Sequence, residues 1–176
     1  FKQRLRKADN ALRAEQVEQL YALHCLCVQM EAIALGYTAD AQSAADIQAR
    51  WTKATRPVRE KATLKRIEKR YQDALSVIED GKSADILGDL SANTENKHAI
   101  CIDLEILLHL ESPEAERGRR MQRQVELMEN AMKGVDQNSP DRIRKLRLDF
   151  FSCGPAAPDT QFDFEERFSK LLAVSA

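Results

Sequence analysis

Two triplets in the chain combine side chains that can bind a metal or activate a thiol. His24-x2-Cys27-x3-Glu31 recurs as His98-x2-Cys101-x3-Glu105, with every position displaced by 74 residues. On an α-helix, positions i, i+3 and i+7 lie on one face. Imidazole, thiolate and carboxylate are the ligands zinc accepts. Two such faces packed together would offer a mixed set, and His109, one turn beyond Glu105, extends the second. Against this, residues seven apart are separated by about 10 Å along the helix axis. Neither Cys-x2-Cys nor His-Glu-x2-His is present. The alternative reading is structural: buried cysteines, glutamates in salt bridges or capping a neighbour, and partly exposed histidines. A metal-binding helical protein is therefore the minor alternative, and no metal ligand set or cofactor is assigned.

A cysteine nucleophile needs a nearby base and an electropositive, accessible setting. His24 adjoins Cys25, but neighbours on a helix diverge by about 100°. Cys153 precedes a Gly-Pro turn near Arg147, with no histidine close to it in sequence. Gly-x-Ser-x-Gly, P-loop and Gly-x-Gly-x2-Gly patterns are absent. No catalytic residue is assigned, and the chain reads as a non-enzyme.

The apolar neighbours of the triplets recur with them: Leu26, Met30 and Ile33 match Ile100, Leu104 and Leu107. A match at fixed offset points to a duplicated helical unit. The 176 residues, 43% hydrophobic and 31% charged with only six Gly and five Pro, fit an all-α protein of six to eight helices without a sheet. Its net charge of −1 gives no global attraction to nucleic acid or membrane. No apolar run reaches membrane-spanning length, so no membrane partner is expected. The cysteines lack a secreted-scaffold spacing, and a reduced, cytoplasmic protein is expected. The chain opens on Phe1, which suggests an excised or processed piece of a longer protein.

Punctuation residues place the helices. The first spans about 10–35, from an Asn10 cap to Gly36, and the second about 40–54 with Asp40 as cap. The third has Pro57 in its first turn, Val58, Ala62, Ile67, Tyr71, Ala74 and Ile78 facing inward, and Gly81 as its stop. The second Cys/Glu helix covers about 94–110. Ser112-Pro113-Glu114 opens a helix to Met132, and Ser139-Pro140-Asp141 opens one to about Ser152. Asp159 caps a last helix over 160–173.

A second element comes after each copy. Trp51, Pro57-Val58 and Arg70-Tyr71 are answered by Phe150, Gly154-Pro155-Ala156 and Arg167-Phe168. This order, after a Cys-x3-Glu helix, resembles the repeat of the bacterial "domain of unknown function 349" family. The stretch Ser112-Pro113-Glu114, Arg120-Met121, Gln124-Val125 is similar to the segment downstream of that helix in large gammaproteobacterial members. The chain departs from the pattern at Arg56, where the family usually has Gly. The resemblance implies a tandem helical-repeat protein with no established enzymatic role. Two repeats are expected, over 10–80 and 92–174, the second with an inserted helix at about 113–132. Cys27, Glu31, Cys101 and Glu105, with the anchors Trp51, Pro57, Tyr71, Phe150, Pro155 and Phe168, are read as structural.

Local charge carries the functional expectation. Residues 50–70 hold nine cations against two acids, a net of +7. Arg117, Arg119, Arg120 and Arg123 form a second cluster, and Arg142, Arg144, Lys145 and Arg147 a third. Candidate partner contacts are Arg59, Lys61, Lys65, Arg66, Lys69, Arg117, Arg119, Arg120 and Arg123. The leading expectation is an interaction or scaffold module that binds a partner protein. The alternative is nucleic-acid or ribonucleoprotein binding through helix 50–70. A solvated face, or pairing with the acids of Asp159, Asp163, Glu165 and Glu166, would also account for the charge.

Overall fold

The computed structural model describes residues 2–37, 44–134 and 140–174. Those residues form seven α-helices and two short 3₁₀ turns, with no strand among them. The all-α expectation holds.

Helix α1 (Lys2–Ala34) buries Leu20, Leu23, Cys27 and Met30, apolar side chains spaced three and four apart. It ends where Gly36 turns left-handed at φ 72° and Tyr37 N–H bonds Ala32 O, as a helix stop requires. It starts at Lys2 and passes through Asn10, because nothing between them breaks a helix; Asn10 is therefore not its cap. Helix α2 (Ala44–Lys53) comes next, and its expected cap, Asp40, lies outside the described residues.

Helix α3 (Lys61–Asp80) begins later than Pro57 suggests. Pro57 is buried in the preceding link, while Val58 is 75% exposed and Ala62 is also exposed. The inward stripe runs Thr63, Ile67, Tyr71, Ala74, a register that a start at Lys61 imposes and that excludes Val58. Gly81, at φ 63°, ends the helix as expected.

Helix α4 (Leu90–Leu107) starts four residues sooner than expected because Asp89 caps it, accepting from the N–H groups of Ser91 and Ala92. It stops at Leu107, and His109 takes a left-handed φ of 56°. His109 therefore leaves the helical face it was expected to extend. A 3₁₀ turn (Glu114–Glu116) leads into α5 (Arg117–Met132), which Gly134 ends at φ 81°. The Ser112 hydroxyl does not cap this start; it donates to Glu105. Helix α6 (Pro140–Ser152) has Ser139 outside the described residues. Thr160, not Asp159, holds the N-cap position of α7 (Gln161–Ala173), without a side-chain capping bond.

The packing repeats. α1 lies against α2 and α3, and α4 lies against α6 and α7 in the same roles. α5 is added to the second set and rests on α4, while α6 also touches α1 and α3 and joins the sets into one core.

Candidate functional site

The duplicated triplet builds the same clamp twice. Glu31 on α1 receives a two-pronged contact from Arg70 on α3, at 2.8 and 2.7 Å. Glu105 on α4 receives the same from Arg167 on α7, at 2.6 and 2.8 Å. Planar guanidinium and carboxylate match in this geometry, which Lys cannot reproduce. Burial works against the Arg70 charge, but Glu31 outweighs it and raises the Arg70 pKa above its ordinary value. The same balance with Glu105 raises that of Arg167.

The aromatic anchors stack beside each clamp. Trp51 lies on Tyr71 with ring centroids 3.8 Å apart and planes 2° apart, and Phe150 lies on Phe168 with the same two values. Arg56 and Gly154, each preceding the proline of its copy, differ for a local reason. In the second copy a Cβ on Gly154 would come within 2.5 Å of the Asn93 amide, whose Nδ2 donates to Pro155 O. In the first copy Arg56 instead reaches back to the carbonyls of Trp51 and Ala54, closing the end of α2.

Between the clamps runs a buried polar chain that no sequence motif announces. His24, expected to be partly exposed, is fully buried and bonds Glu165 at 2.8 Å through Nε2. The other oxygen of Glu165 accepts from Lys97 Nζ at 3.0 Å, and Lys97 also donates to Gln161 at 3.2 Å. Lys97 occupies the place that Leu23 holds in the first copy, which is the only sequence sign of it. The Arg70 guanidinium donates to Phe151 O at 2.6 Å and lies 3.5 Å from His24 Nδ1. Nδ1 therefore serves as acceptor and Nε2 carries the proton, so His24 is a neutral bridge. Burial pushes its pKa down despite Glu165. Burial alone would raise Glu165, but His24 and Lys97 hold it well below the usual carboxylate range.

These shifts imply an acid-sensitive fold. His24 is held neutral in the folded state, so below pH of about 6.5 the unfolded chain binds a proton that the folded chain resists. The His24 contribution is complete above that pH and declines as pH falls, by at most about 1.4 kcal/mol per pH unit. Urea midpoints at pH 7.5 and 5.5 should differ accordingly, and His24→Gln should shrink the difference. An unchanged difference in the variant would show that other groups carry it.

The triplets do not assemble a metal site. Cys27 Sγ points to Ile67 O at 3.7 Å, while His24 and Glu31 turn to different partners. In the second copy His98 bonds Glu116 at 3.0 Å. Among the described residues no three His, Cys, Asp or Glu side chains converge to hold an ion. The thiols are not activated: burial pushes Cys101 up to about 12, Cys27 well above its ordinary value, and Cys25 and Cys153 upward too. Ser112 donates to Glu105 and accepts from Arg120 at 2.9 Å, and the Glu105 carboxylate it meets is itself held by Arg167.

The candidate contact residues divide in two. Arg59 pairs with Asp9 at 2.7 Å and Lys69 with Asp73 at 2.5 Å. Arg119 pairs with Glu95, Arg123 with Asp103 and Glu126, and Arg120 bonds Ser112. Lys61, Lys65, Arg66 and Arg117 have no ion-pair partner among the described residues, and the first three form an open ridge on α3. Of the acids of α7, Glu165 turns inward and Glu166 pairs with Lys170, so neither pairs with that ridge.

The face of α5 turned away from α4 carries a feature the arginine cluster obscured. Met121, Val125, Met128 and Met132 are 64%, 51%, 68% and 89% exposed. Their spacing of four, three and four is the heptad period of a helix–helix seam. Leu127, on the opposite side, is buried. This stripe was legible in sequence as a 3.5-residue period over 121–132. Among the described residues no helix is long and apolar enough to cross a membrane. No protein-family model matches the chain, and no curated protein and no solved structure matches it either.

Proposed function

We propose that the chain is a non-enzymatic interaction module of a longer bacterial protein of the tandem-repeat kind it resembles, and that it docks a partner protein on α5. The observation that carries this reading is the exposed apolar stripe Met121, Val125, Met128 and Met132. The heptad spacing specifies the occupant as an amphipathic helix, since only a second helix meets such a seam along its length. Methionine, flexible and polarisable, suits an adaptable docking face. The arginines at the start of α5 support this assignment because Arg119, Arg120 and Arg123 already serve contacts within the chain.

A second reading rests on Lys61, Lys65 and Arg66, whose open ridge can follow a phosphate backbone of nucleic acid or a ribonucleoprotein. One experiment separates the two. Full-length protein is used to capture partners from its own cells, comparing wild type, Met121→Asp/Met128→Asp, and nuclease-treated extract. Both methionines are well exposed, so the substitutions should shift stability by only about 0.5 kcal/mol each. Loss of one defined protein partner in the variant, with capture unaffected by nuclease, is expected. Capture that survives the variant and vanishes with nuclease would move the assignment to α3. A dimer by light scattering that the variant abolishes would make the occupant a second copy of the chain.

A further inference from the structure

Where α1 meets α6, four guanidinium groups gather around three carboxylates. Arg13 pairs with Asp9 at 2.9 Å and Asp141 at 3.4 Å, Arg59 shares Asp9 at 2.7 Å, and Arg144 pairs with Glu60. Arg147, the fourth cation, has no carboxylate partner among the described residues, and its Nε and Nη2 are buried without any acceptor. Arg144 Nε is left in the same condition. Arg13, Arg144 and Arg147 line one open cleft of about 210 Å³ together with Asn10 and with Asp141, whose carboxylate pairs with Arg13.

A buried N–H without an acceptor is costly, and more so on a charged group, so native structures satisfy such groups with a partner, water or an ion. A water would accept a hydrogen bond but leave the extra positive charge. Burial without a neighbouring acid pushes the Arg147 pKa down, the mark of a cation lacking its counter-charge. Guanidinium forks match the oxygens of tetrahedral oxyanions, which need several donors at once. The cleft is smaller than the roughly 300–1,000 Å³ of pockets that hold drug-sized ligands. It therefore fits one phosphate group and not a whole nucleotide.

We infer that the cleft between α1 and α6 is an anion site that binds a single phosphate group through Arg147, with Arg13 and Arg144 beside it. The bound anion would supply the missing negative charge and tie the N-terminal half of α1 to the second repeat. This inference is independent of the α5 docking reading, since it concerns a different face of the molecule.

The test uses inorganic phosphate at constant ionic strength, with chloride making up the balance. Thermal unfolding and ³¹P line broadening are followed for wild type, Arg147→Gln, Arg147→Lys and, as an exposed cation elsewhere, Lys133→Gln. Wild type and K133Q should show a saturable rise in the unfolding midpoint. R147Q should bind about ten-fold more weakly or not at all, as expected for a lost charge-assisted hydrogen bond, and R147K should fall between. A rise equal in R147Q and wild type, or none in wild type, overturns the proposal. If R147Q does not fold, wild type, R147K and K133Q decide by the same order. Phenyl phosphate tells the sources apart: binding equal to that of inorganic phosphate indicates a phosphoryl group carried on a larger ligand, and exclusion indicates the free anion.

Discussion

Replacing Arg70 with Ala is expected to cost about 3–5 kcal/mol of folding stability, the range for breaking a buried ion pair by removing one partner. Glu31 is 1% exposed and pairs with no other cation among the described residues, so the truncation leaves a bare carboxylate in the core. The same change removes the donor to Phe151 O and the group facing His24 Nδ1, uncoupling the first clamp from the second repeat. For a chain of this size the loss corresponds to a fall in Tm on the order of 10 °C. Urea and thermal unfolding check it. Arg70→Lys should recover little, because a point charge cannot bridge both oxygens of Glu31. Recovery of nearly all stability by Lys would mean that charge alone, without the fork, holds α1 to α3.

Phe168→Ala should be the most damaging apolar truncation, also at about 3–5 kcal/mol. Phe168 is fully enclosed, stacks on Phe150 at 3.8 Å and meets the edge of Phe151 at 5.5 Å. Its counterpart pair is less enclosed. Trp51 is 8% exposed, and the Arg56 guanidinium lies 5.3 Å from its ring centroid. The cavity left by Phe168→Ala opens where α6 meets α7, beside the rings of Phe150 and Phe151. Trp51→Ala should therefore cost less, and equilibrium unfolding of the two variants gives the order directly. A larger loss for Trp51 would place the main anchor in the first repeat.

The repeated part of the molecule was readable in the sequence. A 74-residue offset brings Cys27 and Cys101, and Glu31 and Glu105, onto equivalent helices, and the same order of aromatic, proline and Arg-aromatic pair follows each at its own spacing; both clamps and both stacks result from that. Helix starts were less legible, because the sequence does not show which of several tolerable N-termini packing selects. Pro57 invited a start four residues too early, and Asn10 is compatible with a helix interior. The His24–Glu165–Lys97 chain escaped notice because each member looks ordinary alone. Lys97, flanked by Glu95, Asn96 and His98, reads as a surface residue until Glu165, 68 positions away, is brought beside it. The α5 stripe was visible as a period, yet the arginine cluster at 117–123 that overlaps its start is the stronger signal in composition. Most of those arginines turn out to serve folding.

The proposed function turns on where the molecule meets its partner. Site-specific photo-crosslinking in the full-length protein, with the reactive group placed in turn at positions 121, 128 and 61, tests it most directly. Docking on α5 predicts a discrete protein adduct from positions 121 and 128 and none from 61, which lies on the basic ridge of α3. Adducts from 61 alone, or adducts to nucleic acid from any position, would contradict it.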